Sequence, residues 1–310
     1  MTSPNSVTIL FASFNGMRTL PRMMRAIREL ELPSGEVELV CVDNGSTDGT
    51  GDYIRHLDLP MRVTVATETA RGKNRALNTG LALARGEWIV LTDDDVVPAP
   101  NWLTCLLRLA SQKPGCLVFG GAITAVWPEP PSPELLNVAP LDICFGLTDP
   151  ALASGPIDPK RLCGANMMVH RSVFDEGLRF NESVGPAAGH YAMGSETELL
   201  RRLEQSGHQA CFAAEATVGH QIRPEQLQRD WVMQRAFRSG RGNRARDASE
   251  QPEGTSDKWR SVRLWWFSKY FRHRVHALWL ATRGDRAGAY SEDWKASFMS
   301  GYIHQWWKIN

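Results

Sequence analysis

The chain lacks long apolar runs, clustered cysteines, a net charge and glycine-rich phosphate loops, and each absence removes a class of protein. None of its 310 residues fall in a run approaching the ~18 apolar residues that a membrane-spanning helix needs. The opening MTSPNSVTILF passes straight into a strand-like run, with no basic region and apolar core ahead of it, so no signal peptide is expected. The six cysteines (Cys41, Cys105, Cys116, Cys144, Cys163 and Cys211) form no CxxC and no paired spacing. Their apolar contexts read as buried free thiols in a reducing cytosol. No GxGxxG follows the first strand-like run, which argues against a dinucleotide Rossmann site. No GxxxxGK[ST] occurs either, because Lys73 is followed by Asn74. An EF-hand loop started at Asp93 fails at Val97, at Pro98 in place of glycine and at Thr104 in place of glutamate. There is no internal repeat or low-complexity tract.

What is present is enough apolar side chain, 43% of the composition, to bury a sizeable core. The net charge is only +1, but it is unevenly spread. Residues 222–310 carry 17 Lys/Arg against 9 Asp/Glu, whereas the first 221 carry 18 against 25. Eight of the 11 tryptophans also lie in that basic tail. The pattern predicts a catalytic or binding body over 1–222, followed by a helical region over 223–310 suited to an anionic surface.

Along the body, short uninterrupted apolar runs alternate with helical patterns. Strands are expected at VTILFA (7–12), VELVCV (37–42), MRVTVA (61–66), EWIVLT (87–92) and CLVFGGAITAV, with helices over about 19–30 and 73–84 and at NWLTCLLRLA. Repeated β-α-β of this kind means an α/β fold, a mostly parallel sheet covered on both faces. Residues 127–159 hold eight of the 18 prolines and read as a long loop. Beyond it come a strand at ANMMVH, a helix at SETELLRRLEQSG, short strands at HQACFAA and EATVGH, and a helix over 224–240. A polar break, RGNRARDASEQPEGTSD, precedes two terminal helices.

In such sheets ligands bind beyond the carboxyl ends of the strands. Asn15, Asp43 and Asp93–Asp95 all fall there, on separate strands. Three adjacent carboxylates repel one another and resist desolvation, so a fold gains nothing from them without a cation or ligand. Oxygen-only ligands favour Mg²⁺ or Mn²⁺, which take one or two protein carboxylates and complete their shell with water and substrate phosphates. The triple aspartate thus reads as half a site whose other half is a diphosphate.

FASFNG, CVDNGSTDGT, GKNRALNTGLALARGEWIVLTDDD, GANMMVHRSVF, GSETELLRRL and ATVGH occur in this order over about residues 7–240. Together they resemble the motifs of a family 2, GT-A-fold inverting glycosyltransferase. The resemblance implies a GT-A α/β domain with a C-terminal helical extension, a nucleotide-diphosphate sugar donor (a UDP-sugar first) and Mg²⁺ or Mn²⁺. It implies that Ser13 and Asn15 line the nucleotide pocket and that Asp43 accepts a hydrogen bond from the base; the second acidic position of that motif is Asn44. Lys73 and Asn78 would contact base and diphosphate. Asp93 would contact the ribose, with Asp94 beside it, and Asp95 would ligate the metal together with His220. Glu196 matches the catalytic base, where the family more often has Asp, and Glu198 is the alternative. One base and one displacement imply inversion at the anomeric carbon. The QxxRW of processive relatives is missing, which implies addition of single sugars.

The acceptor expected is a glycan or lipid-linked hydroxyl in cell-surface polysaccharide or glycolipid synthesis. The tail fits two arrangements. It either lies on an anionic membrane with its indoles at headgroup level, or packs on the body or in a dimer. On a helical wheel residues 258–280 are apolar more than halfway round with basic groups interspersed, so the wheel leaves both open. The expected location is cytoplasmic, with the inner face of the plasma membrane as the surface within reach. No nucleic-acid partner is expected, for want of a binding motif. Two other readings remain: an inactive nucleotide-sugar-binding or scaffolding module, and a sugar-nucleotide nucleotidyltransferase. The latter predicts a Gly-rich, Arg/Lys-containing loop that FASFNGMRTL does not provide.

Overall fold

The computed structural model describes residues 5–182, 195–249 and 259–309. They fall into two compact units. One runs to Val126 and resumes over 147–182 and Ser195–Gln221; the other comprises Trp127–Gly146 and the chain from Ile222 onward.

The first unit is built on nine strands: β1 (Val7–Ser13), β2 (Val37–Asp43), β3 (Arg62–Thr67), β4 (Trp88–Thr92), β5 (Val96–Pro98), β6 (Cys116–Val126), β7 (Gly155–Ile157), β8 (Asn166–His170) and β9 (Gln209–Gln221). They pair in the order β3-β2-β1-β4-β8-β6-β9-β5, with β7 also on β9. β3, β2, β1 and β4 form a parallel half, and β6 and β9 run parallel to each other. β8, β5 and β7 pair antiparallel to their neighbours.

The apolar runs form strands because both faces of the sheet are covered. Val7, Ile9 and Phe11 of β1 point into one core with Leu20, Met23 and Ile27 of α1 (Leu20–Arg28). That core also takes Ile54 of α2 (Thr50–Arg55). Leu10, on the other side of β1, meets Val40, Val42 and the Ala76, Leu77 and Leu81 stripe of α3 (Lys73–Leu81). α4 (Trp102–Gln112) joins the first core through Trp102, Leu103 and Leu106. In the second unit α5 (Pro133–Val138) and α6 (Leu141–Phe145) follow. The second core is completed by Phe174 of α7 (Arg171–Asp175) and by Leu199, Leu200 and Leu203 of α8 (Ser195–Gln205).

Asn166 holds the middle of this sheet. Fully buried, it accepts the Trp102 indole N–H at 2.8 Å and donates to the Ala122 and Ala216 carbonyls, each at 2.9 Å. Those carbonyls lie where β6 and β9 slip register between Gly121 and Ala122. Asn166→Ala strands three buried polar groups, so an unfolding free energy lower by roughly 2–5 kcal/mol is expected in urea titration.

Four features depart from the sequence reading, the last of them in the second unit. HQACFAA and EATVGH are one strand, β9, whose slip in register absorbs the residues between them. Cys116 and Cys211, on neighbouring strands, are joined as a disulfide rather than left as free thiols. Residues 127–159 are not a bare loop: they hold α5, capped by Ser132 Oγ accepting the Leu135 N–H, then α6 and β7.

In the second unit α9 (Arg229–Ser249) runs on through RGNRARDAS, where a polar break was expected, and is followed by α10 (Trp259–Thr282) and α11 (Arg286–Ile309). The Trp231 ring stacks on Phe145 with centroids 5.6 Å apart, and Trp266 stacks on Tyr302 at 3.9 Å. Tyr302 Oη donates to Asp247 at 2.7 Å, tying α11 to α9. Among the described residues no helix is long and apolar enough to cross a membrane.

Candidate active site

The register of the parallel half brings the proposed residues level. Ser13 and Asp43 are partners at the carboxyl ends of β1 and β2, and the triple aspartate follows β4 at the same edge. The loops after β1 and β2 are stitched together. Asn15, in a left-handed conformation at φ 55°, accepts the Thr47 N–H at 2.8 Å, and its own N–H donates to Ser46 Oγ at 2.9 Å. Asp43 is buried and accepts the Ser46 N–H at 3.0 Å.

Each aspartate of the triplet has a different partner. Asp93 pairs with Lys73 at 2.7 Å, at the start of α3. Asp94 accepts a hydrogen bond from Ser13 Oγ. Asp95 Oδ2 lies 3.2 Å from His220 Nε2, 125 residues away in sequence. That last contact exists because β5 runs antiparallel to β9 with Val96 opposite His220, and the Asp95 carbonyl accepts the Gln221 N–H at 2.7 Å.

The electrostatics follow from crowding. Burial first, then the Asp95 and Asp93 charges, push the Asp94 carboxyl from 3.8 up to about 7, against the pull of the Ser13 hydrogen bond and of Lys73. A carboxyl with a raised folded-state pKa stabilises the fold fully below its unfolded value, and that stability is lost as pH rises through the folded value. The metal-free protein should therefore lose thermal stability between pH 3.8 and about 7 on this account. Asp94→Asn, which keeps a partner for Ser13, should flatten that part of the melting-temperature profile; an unchanged slope would place the strain elsewhere.

Asn78 is not drawn into this cluster. Its side chain exchanges hydrogen bonds with the backbone of Phe180, both at 2.9 Å. Glu196 lies in the first turn of α8, but its side chain falls outside the described residues. Glu198 is held by Arg202 one turn along the same helix, at 2.8 and 2.9 Å.

Sequence reasoning missed three parts of the site. Asn44 donates to the Glu68 and Ala70 carbonyls and accepts the Gly72 N–H, fixing the loop that delivers Lys73. Gly16 admits the contact of Ser13 with Asp94, since a Cβ there would come within 2.3 Å of Ser13 Oγ and 2.5 Å of Asp94 Oδ2. Arg71 lies over the half-exposed Phe14 ring, 3.8 Å from its centroid. The adjacency of Asn44 to Asp43 was the one signal in the sequence for the first; the other two depend on contacts between distant loops.

Among the described residues no group of three or more His, Cys, Asp or Glu side chains is set as a cation cage. The Asp95–His220 pair, beside a carboxyl whose ionisation burial and like charge disfavour, nevertheless fits a partial site. Mg²⁺ and Mn²⁺ sites of this kind leave positions for water and phosphate oxygens.

Comparison with known proteins bears on the family and the fold. A glucosyl-dolichyl phosphate glucuronosyltransferase of Haloferax volcanii is 23% identical over 191 residues, 61% of this chain and 59% of that protein. The succinoglycan biosynthesis protein ExoM of Rhizobium meliloti is 23% identical over 244 residues, 77% of this chain and 74% of that one. The fold is that of a Pyrobaculum calidifontis mannosyltransferase solved with GDP-Man and Mn²⁺, with TM-score 0.61, 18% identity, and 100% and 89% of the two chains covered. It is also that of Staphylococcus aureus TarS solved with UDP-GlcNAc, with TM-score 0.54, 14% identity, and 97% and 91% covered. The expected GT-A α/β architecture is therefore present. The model of "Glycosyl transferase family 2" matches residues 8–178, more than half of the sequence, and the chain belongs to that family.

Proposed function

We propose that this chain is a metal-dependent, inverting, non-processive glycosyltransferase of the hexosyltransferase type. It moves a sugar from a nucleotide-diphosphate donor, a UDP-sugar first, to an acceptor hydroxyl in cell-surface polysaccharide or glycolipid synthesis. The carrying observation is the convergence of Asp43, Lys73, Asp93–Asp95 and His220 at one edge of the sheet. The relatives named as a glucosyl-dolichyl phosphate glucuronosyltransferase and a succinoglycan biosynthesis protein support the acceptor class. The sugar-transferring body lies within residues 1–222, apart from Trp127–Gly146, and the basic helical region 223–310 brings it to an anionic membrane from the cytoplasmic side.

In this reading Asp43 accepts a base N–H, Ser13 and Asn15 shape the nucleotide pocket, and Asp93 takes a ribose hydroxyl. Lys73 meets the diphosphate, with Asn78 behind it on the same helix. Asp95 and His220 would hold Mg²⁺ or Mn²⁺, which would supply positive charge to offset that developing on the departing diphosphate. Glu196, at a helix start, accepts the proton of the attacking hydroxyl, a contribution worth roughly 10²–10⁴-fold. Glu198 is the alternative base, and its pairing with Arg202 favours Glu196.

The test is calorimetric binding and donor hydrolysis across UDP-, GDP- and dTDP-sugars, with Mn²⁺ or with EDTA. One donor should bind, Asp43→Ala should weaken it about tenfold or more, and Glu196→Gln should remove turnover while leaving affinity. Binding without any turnover in the unaltered protein would instead identify a nucleotide-sugar-binding module. No binding to any donor would overturn the reading.

A further inference from the structure

α10 has two apolar faces. One packs on α11: Ala277 is buried, Trp266 stacks on Tyr302, and His273 Nδ1 meets Glu292 Oε2 at 2.5 Å. The other carries Phe271, Val275 and Leu278, which are 61%, 65% and 63% exposed. Their i, i+4, i+7 spacing sets them in one ridge, roughly opposite the packed edge. Trp265 and Trp279 border the ridge, nearly half exposed. Each indole has a cation over it: Lys269 lies 3.7 Å from the Trp265 centroid, and Arg283 lies 4.2 Å from that of Trp279. No Asp or Glu occurs anywhere in Trp259–Thr282.

We infer that this outer ridge of α10 is the surface that enters an anionic lipid bilayer, lying in the plane of the interface. An isolated exposed leucine means nothing, but an ordered apolar ridge bordered by indoles and cations does. Tryptophan rings sit at headgroup depth, the aliphatic and phenyl groups reach the acyl boundary, and arginine and lysine meet lipid phosphates. The absence of carboxylates selects this occupant over a second copy of the chain. Two such ridges face to face would set cation against cation with no counter-charge from either. The inference rests on the reading of the C-terminal region as the membrane contact, and it is independent of the sugar chemistry.

The full chain would be floated with vesicles of phosphatidylcholine alone and of phosphatidylcholine with phosphatidylglycerol. Binding is expected only to the anionic vesicles and should weaken in high salt. Phe271→Asp with Leu278→Asp should lower the bound fraction about tenfold. Lys269→Glu and Arg283→Glu should each cost about fivefold. Circular dichroism and donor hydrolysis should stay unchanged in all of these, because none of the altered side chains is buried.

If the native chain floats and the double aspartate variant floats equally well, the ridge is the wrong surface, although the membrane reading survives. If the native chain floats with neither vesicle, both fall. If the double variant instead converts a dimer into a monomer by light scattering, the ridge is an interface between copies and the inference is overturned.

Discussion

Asp95→Ala is expected to lower sugar transfer by roughly 10²–10³-fold and to abolish the effect of Mn²⁺ on donor binding. Asp95 is the aspartate whose side chain meets His220, at 3.2 Å, and its backbone carbonyl is fixed by the Gln221 N–H at 2.7 Å. Truncating the side chain leaves that backbone bond intact, so the loop should keep its course while losing the carboxylate. The thermal stability of the metal-free protein should stay level or rise, because Asp95 is the charge that most raises the Asp94 pKa. Loss of activity without loss of stability separates a functional aspartate from a structural one. His220→Ala should reproduce the change in metal response. If Asp95→Ala unfolds the protein, or binds donor with an unchanged metal response, the assignment of this pair fails.

The second large effect concerns the helices of the C-terminal unit. A Cβ on Gly240 would lie 1.9 Å from the Phe298 carbonyl oxygen, and one on Gly301 would lie 1.9 Å from that of Phe237. The two glycines are reciprocal parts of one crossing, at which α9 and α11 touch backbone to backbone. Helix propensity alone favours alanine over glycine by about 1 kcal/mol at each position. The clash is with backbone on both sides, so no side-chain rotation relieves it, and overpacking of this kind costs roughly 1–3 kcal/mol or more. Gly240→Ala and Gly301→Ala should therefore each lower the melting temperature by several degrees, at about 2–4 °C per kcal/mol for 150–250 residues. The double variant should cost less than the sum, because the first substitution has already parted the helices. Neutral or stabilising single variants would mean that the crossing yields easily and propensity wins.

Both predictions concern contacts of different legibility. The aspartates were visible as chemistry: three like charges after an apolar strand have no structural use without a partner. The glycines were not, since a glycine inside a polar helical stretch reads locally as a break. Gly240 and the RGNRARDAS that follows it read as the end of a helix, yet the helix continues to Ser249 because α11 covers it.

The same division runs through the molecule. The alternation of β1, α1, β2 and their successors, the family, and the edge of the sheet at which Asp43 and Asp93–Asp95 stand are all legible in the residues alone. Period and residue type are local properties, and uninterrupted apolar runs have few uses other than strands covered on both faces. Tertiary structure alone decided that β9 is one strand paired with β5, the pairing by which His220, set beside Asp95 only by the family resemblance, reaches it across 125 residues. It decided that Trp127–Gly146 belongs with the C-terminal unit and that Cys116 meets Cys211. It also resolved the confused helical wheel of α10 into one face packed on α11 and one face outward. Periodicity reports which side chains share a face of their own element; which partner covers that face depends on pairings between distant segments, and those leave no local pattern to read.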